Sequence, residues 1–169
     1  MQKANSPRGK WWYAIFFLTA ALVIAADQLS KHWIRSNLLV GQSLFEVGFF
    51  RFTHVQNTGA AFGIFQGYSS VLVIVALVGA AVLLFYTLFI HPRFPLLDGK
   101  LSRMALGLVL GGTVGNITDR LCLGYVTDFI DVGIWPTFNL ADSSVVVGVL
   151  IFAYTLFPLV RLEKESDDG

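Results

Sequence analysis

YSSVLVIVALVGAAVLLFYTLFI, residues Tyr68–Ile90, runs for 23 residues without a charge. A helix needs about 20 apolar residues to cross the hydrocarbon layer of a bilayer, so this stretch alone places the chain in a membrane. Toward the C-terminus, Phe138–Val160 is equally long and carries one charge, Asp142, near its start. Toward the N-terminus, Trp11–Ala26 is uncharged and can continue as helix past Asp27 toward Trp33. Leu101–Leu121 is the weakest of the four, with an uncharged stretch limited to Met104–Thr118.

Four spans, at about 11–33, 68–90, 101–121 and 138–160, predict one integral membrane domain over residues 1–169. The fold class expected is all-α, a four-transmembrane-helix bundle. Composition agrees: 55% of the 169 residues are hydrophobic and 14% charged, which excludes an ordinary soluble domain. A net charge of +1 gives no argument for nucleic acid. A single cysteine, Cys122, excludes an internal disulfide, and with no base nearby it reads as structural. His32, His54 and His91 are scattered, so neither a zinc site nor any other cofactor is expected. The basic start and the Ala25-Ala26 ending of the first span resemble a cleavable signal peptide. The apolar stretch is long for one, however, and Asp27-Gln28-Leu29-Ser30-Lys31 has a polar character of its own, so we read a retained helix.

Residues 37–67 separate the first two spans. Leu44–Val47 and Phe49–Val55 are rich in β-formers and broken by Gly41 and Gly48, predicting a small extracytoplasmic β-sheet between helices one and two. Asn57-Thr58-Gly59-Ala60-Ala61-Phe62 reads as a loop returning to the bilayer, with Phe62–Phe65 apolar enough to cover a polar site. The 91–100 link, with Pro92, Pro95 and Gly99, reads as an ordinary turn. The charged tail 161–169 reads as disordered.

Orientation follows from Lys and Arg placement. With both termini cytoplasmic, eight cations (Lys3, Arg8, Lys10, Arg93, Lys100, Arg103, Arg161, Lys164) lie inside and four (Lys31, Arg35, Arg51, Arg120) outside. Asp27, Asn116, Asp119, Arg120, Asn139 and Asp142 then all enter the membrane from the outer side. Shared depth points to a site just beneath the outer surface.

At its centre we expect Asp142 and Asp128, the latter in Val126-Thr127-Asp128-Phe129-Ile130. A carboxylate at membrane depth is costly and seldom idle, and paired carboxylates in a water-poor place equip acid–base catalysis. Asp142 has a competing explanation, since Asn139-Leu140-Ala141-Asp142 resembles a variant capping box. A helix N-terminus also favours the ionised carboxylate, which leaves Asp128 as the expected holder of a shared proton. Asp27 and Lys31, four apart with the acid first, form either an interfacial ion pair or an orienting pair beside the site. Asp119-Arg120 reads first as a surface ion pair, and Arg120 alternatively as a clamp for a ligand's anionic or carbonyl group. Gly107, Gly111 and Gly115 are four apart and predict close helix packing.

Five motifs taken together resemble the bacterial lipoprotein signal peptidases, or signal peptidase II. They are Asp27–Lys31, Asn57–Phe62, Gly111-Gly112-Thr113-Val114-Gly115-Asn116-Ile117-Thr118-Asp119-Arg120, Val126–Phe129 and Phe138-Asn139-Leu140-Ala141-Asp142-Ser143. The resemblance runs from helix one to the end of helix four. It implies an aspartic endopeptidase of the bacterial inner membrane. Such an enzyme removes signal peptides from diacylglyceryl-modified prolipoproteins by cleaving before the lipidated cysteine. It further implies a catalytic dyad at Asp128 and Asp142, which activates water. Asp27, Lys31, Asn57, Gly112, Asn116, Arg120, Asn139 and Ala141 fall at positions associated with the family's site, and sensitivity to globomycin is implied as well. Membrane lipids are the surrounding partners. The competing class is a proton- or ion-coupled small membrane transporter, which also uses intramembrane carboxylates. Helices two and four offer no polar path to the inner side, which argues against it.

Overall fold

The computed structural model of the chain describes residues 8–59, 66–94 and 97–167, with side chains between 11 and 157 within those ranges. The described residues form four long helices: α1 (Arg8–Asn37), α2 (Ser69–Phe85), α3 (Lys100–Leu123) and α4 (Leu140–Asp167). The end of α2 widens into a π turn, Tyr86–Ile90, and tightens into a 3-10 turn, His91–Arg93. Pro92, which lacks the N–H a helix needs, sits where regular helix stops.

Among the described residues, three segments are long and apolar enough to cross a membrane: Trp11–Asn37, Ser69–Arg93 and Leu140–Phe157. Their outward side chains, among them Leu22, Val78 and Leu150, are exposed, as lipid-facing residues must be. The third helix is different. It packs against α1, α2 and α4 and buries its polar Ser102, Arg103 and Asp119 together with Gly107, Gly111, Gly112 and Gly115. Central position explains its weak apolar signal, because the surface it presents is mostly to protein.

The glycine spacing acts as expected. A Cβ on Gly107 would lie 2.6 Å from the Phe16 carbonyl oxygen, on Gly111 2.8 Å from that of Ala20, and on Gly115 2.5 Å from Asp27 Oδ2. These three glycines therefore receive successive turns of α1. Gly112 and Gly148 do the same between α3 and α4, against Ala141 and Ala105. Phe16, Ala20, Leu106 and Leu110 form the apolar core of this contact.

The expected sheet between helices one and two exists, with a third strand that the sequence reading did not assign. Strands β1 (Ser43–Val47), β2 (Phe50–Asn57) and β3 (Val126–Asp131) pair antiparallel in that order. β3 comes from the α3–α4 link. Gly124, at φ +83°, ends α3 in the left-handed conformation and turns the chain directly into it. Register places Asp128 opposite Val55, and Val126 opposite Asn57. Ile34, Leu38 and Phe129, with Phe52 packed against them, fasten the sheet to the end of α1.

Two expectations are corrected. The tail continues α4 to Asp167 instead of being irregular, since Leu162, Glu163, Lys164 and Glu165 are all good helix formers. The 91–100 link is more than a turn: His91 is fully buried, and Arg103 reaches back to donate to the Thr87 carbonyl (3.0 Å) and to Asp98 (2.7 Å). The π turn frees that carbonyl from the regular helical ladder.

Candidate active site

Asp128 stands in the middle of β3, buried, where the strand alternation aims it at the start of α4. Its Oδ1 accepts from Asn139 Nδ2 at 2.7 Å and its Oδ2 from Asn57 Nδ2 at 2.9 Å. Asp142 occupies the first turn of α4. The Asp142 backbone N–H donates to Asn139 Oδ1 (2.9 Å), and the Asn139 backbone N–H donates to Asp142 Oδ2 (3.2 Å). That reciprocal pair is a capping box with asparagine and aspartate as its members. Asp142 Oδ1 accepts from Asn116 Nδ2 at 2.7 Å. Capping and site membership thus coexist.

Both carboxylates line one cavity of about 620 Å³, together with Asn57, Asn116, Arg120 and Trp135. Burial pushes the Asp128 carboxyl up to about 7, and the negative charge of Asp142 adds to the effect. Hydrogen bonds from Asn57 and Asn139, and the positive charge of Lys31, act in the opposite direction but are outweighed. A carboxylic acid in this environment keeps its proton well above the usual carboxylate range and titrates near neutral pH.

Behind the cavity lies a buried ionic network. Lys31 Nζ reaches Asp27 Oδ2 (2.9 Å), Asp119 Oδ2 (3.3 Å) and Asn116 Oδ1 (2.8 Å). Asp27 Oδ1 accepts the backbone N–H of Ala141 at 3.0 Å, pinning the first turn of α4. Asp119 Oδ2 accepts the Thr127 N–H at 2.9 Å, pinning β3 one residue before Asp128. The α1–α3 network therefore holds both carboxylate-bearing segments by their backbones.

Asp27 and Lys31 are an ion pair, as one reading of their spacing had it, but a fully buried one. Asp119-Arg120 is not a surface ion pair. Asp119 is 1% exposed and turns to Lys31 and Arg35, while Arg120 donates to the Gly59 carbonyl at 3.0 Å. The two adjacent residues point to different faces of α3, and a helix cannot bring i and i+1 side chains together. Arg120 Nε has no partner among the described residues. Gly112 serves packing, because a Cβ there would run into the Ala141 carbonyl. Ala141 contributes its backbone N–H. The Phe62–Phe65 stretch, expected to cover the site, lies outside the described residues, as does the end of the Asn57–Phe62 motif. Cys122 is free and exposed.

The sequence reading did not single out Gln28, Arg35 and Thr127. Gln28 Nε2 lies within 3.2 Å of both Asp27 and Asp119 and donates to the Gly115 carbonyl at 3.0 Å. Arg35 donates to Thr127 Oγ1 at 3.0 Å. Arg35 had a signal available, since it follows Asp27 and Lys31 at intervals of four.

A profile of the signal peptidase (SPase) II family matches residues 19–158. A lipoprotein signal peptidase of Dehalococcoides mccartyi is 52% identical over 136 residues, covering 80% of this chain and 84% of its own. One of Moorella thermoacetica is 46% identical over 142 residues, covering 83% and 91%. Two solved structures, each described as a bacterial membrane enzyme, superpose with TM-scores of 0.74 and 0.72. They are 30% and 32% identical and cover 86% and 83% of this chain, and 87% and 91% of their own.

Proposed function

The chain belongs to the signal peptidase II family and removes signal peptides from prolipoproteins, and we propose that Asp128 and Asp142 are the pair that cuts the peptide bond. The carrying observation is Asn139. Its side-chain nitrogen binds Asp128 while its backbone nitrogen binds Asp142. Both carboxylates thus face one cavity from a single shared support.

In this reading Asp142 is ionised and Asp128 protonated. Asp142 takes a proton from water, and the water oxygen attacks the carbonyl carbon preceding the diacylglyceryl-modified cysteine. Asp128 donates a hydrogen bond to the carbonyl oxygen, stabilising the negative charge that develops there. Collapse breaks the C–N bond, and the proton held by Asp142 passes to the leaving amine. The raised protonation range of Asp128 supports its role as donor. Asn57 and Asn116 hold the two carboxyls, and Arg120 faces the substrate backbone with its free Nε–H. Asp27 and Lys31 maintain the frame. Gly112 and Ala141 let α3 and α4 approach closely enough to form it.

The wider setting is also proposed. With α3 as a fourth span, the helices cross the bacterial inner membrane with both termini cytoplasmic and the cavity near the outer face. Membrane lipids surround the bundle, and globomycin blocks the cavity. The position of every cavity-lining polar group at one end of the helices supports this.

The test is cleavage of a diacylglyceryl-prolipoprotein in proteoliposomes. Asp128→Asn and Asp142→Asn should each abolish cleavage while retaining wild-type helical circular dichroism. A near-normal rate for either variant overturns the assignment.

A further inference from the structure

β3 needs support from outside its sheet. Its ladder with β2 is irregular next to Asp128: Asp128 pairs with Val55 and Ile130 with Phe52, so Thr53 and His54 both oppose Phe129. A bulge of this kind interrupts the ladder hydrogen bonds. The apolar cluster of Ile34, Leu38 and Phe129 draws β3 toward the end of α1. Apolar contact is not directional, however, and does not fix where along its length the strand stops. A slip of one residue would carry Asp128 to the other face, away from the cavity.

Thr127 supplies a directional hold. It precedes Asp128, so strand alternation sends its side chain to the opposite face of β3, and it is fully buried. Its backbone N–H donates to Asp119 Oδ2 at 2.9 Å, and its Oγ1 accepts from Arg35 Nη1 at 3.0 Å. Arg35 Nη1 also lies 3.6 Å from Asp119 Oδ1. Neutralising Asp119 is the lesser of the two contacts, because Lys31 Nζ at 3.3 Å and Gln28 Nε2 at 3.2 Å lie closer to that carboxylate.

We infer that Arg35 is a positioning residue for the reaction: through Thr127 Oγ1 it fixes the height of β3, and so keeps the Asp128 carboxyl between Asn57 and Asn139. This rests on Asp128 being one of the cleaving pair. The spacing along α1 supports it. Lys31 and Arg35 are four apart on one helix face, and each reaches one carboxyl through one intermediary. Lys31 reaches Asp142 through Asn116, over bonds of 2.8 and 2.7 Å. Arg35 reaches Asp128 through Thr127, its neighbour in the strand. One face of α1 thus sets both carboxyls, one turn apart.

Thr127→Val keeps the branched shape of the side chain and removes the acceptor. Arg35 is not stranded by the change, because Asp119 remains beside it and its side chain is 23% exposed. In proteoliposomes, kcat for a diacylglyceryl-prolipoprotein should fall about 10- to 100-fold, as for a reacting group displaced by up to about 1 Å. KM and the melting temperature should stay close to wild type, since neither substrate contacts nor the core are touched. Thr127→Ser restores the hydroxyl and should restore kcat. Arg35→Met should lower kcat by the same factor as Thr127→Val, and the double variant should be no slower than either, because both changes break one contact. A wild-type kcat for Thr127→Val overturns the inference. So does a Thr127→Ser variant no faster than Thr127→Val, or a double variant whose losses multiply. Should Thr127→Val melt well below wild type, Arg35→Met, which leaves the strand intact, carries the test, and a wild-type kcat there overturns the inference equally. Failure of the dyad assignment would be seen separately, as cleavage by Asp128→Asn.

Discussion

Asn139 Nδ2 donates to Asp128 Oδ1 across 2.7 Å, and this bond ties the central carboxyl of a β-strand to the cap of a helix. The same residue caps α4 through Oδ1. Its two roles can be separated by substitution. Asn139→Ala loses both, which should cost about 1 kcal/mol of stability for the cap and about 100-fold in kcat for the misplaced carboxyl. Asn139→Asp keeps an acceptor for the helix N–H groups but cannot donate to Asp128. It also sets a third carboxylate against Asp128 in a buried position, so it should melt below wild type even though the cap is kept, and cleave as poorly as the alanine variant. Equal activity of Asn139→Asp and wild type would sink the idea that donation to Asp128 matters.

If Asp128 donates to the substrate carbonyl as proposed, its protonation sets the alkaline limit of activity. Burial and the Asp142 charge hold its carboxyl up at about 7. If the protonated form is the one that works, kcat/KM should be flat below that value and fall tenfold per pH unit above it. Prolipoprotein cleavage measured from pH 5 to 9 in proteoliposomes checks this. A rate that keeps rising through pH 8 would reverse the roles of the two aspartates.

The same elevation costs stability at high pH. Asp128 ionises near 3.8 when free and near 7 in the folded protein. Between those values the folded state binds the extra proton, so stability falls as pH rises, by about 4 kcal/mol in total at pH 8. Asp128→Asn removes the ionisable group. Its melting temperature in detergent should exceed that of wild type at pH 8, and the advantage should shrink as pH falls below 7 and vanish near 4. A variant less stable than wild type at pH 8 would show that the charged form is better solvated than its burial indicates.

Much of this arrangement was legible in the chain. Uncharged length revealed α2 and the start of α4, and the glycine spacing revealed the face α3 gives to α1. Shared depth grouped Asp27, Asn116, Asn139 and Asp142 before any geometry was available. β3 was less legible, because six residues between two helices carry no periodicity that separates a strand from a linker, and its partner strand lies 71 positions earlier for the Asn57–Asp128 contact. Asp119 misled for a different reason. Adjacent opposite charges suggest a pair, yet on a helix they diverge, and its true partner Lys31 comes from α1. The buried link around His91 and Arg103 was hidden because its prolines and glycine read as exposed turn.

Gly115 is the point where helix packing and site geometry meet. A Cβ there would sit 2.5 Å from Asp27 Oδ2, the same oxygen that binds Lys31. Gly115→Ala should displace Asp27, loosening Ala141 and the first turn of α4, and cost about 1–3 kcal/mol along with most of the activity. Gly79→Ala is the control. Its Cβ enters open space and removes glycine from a helix interior, which should stabilise by about 0.5–1 kcal/mol. Thermal melts of the two variants in one detergent should move in opposite directions.

Lys31 connects the ionic network to the carboxylates through one amide. It donates to Asn116 Oδ1 at 2.8 Å, which turns the Asn116 amide so that Nδ2 faces Asp142 at 2.7 Å. Lys31→Met weakens that orientation, leaving Asn116 Oδ1 to Asn139 Nδ2 alone (3.1 Å), and leaves Asp27 and Asp119 buried beside the gap. Breaking a buried pair from one side costs about 3–5 kcal/mol, so the variant should melt far below wild type. Adding Asp119→Asn removes one stranded charge, and the double variant should recover part of the loss, with a coupling of about 0.5–3 kcal/mol. Activity should not recover fully with it, because Asn116 Oδ1 keeps only the longer bond from Asn139 Nδ2 (3.1 Å) to fix its amide. Lys31→Arg keeps the charge but offers a planar fork where three acceptors surround a point. It should therefore fold better than Lys31→Met and cleave little faster. Full activity in Lys31→Arg would show that charge alone, and not the tetrahedral reach of the ammonium group, sets the position of Asp142.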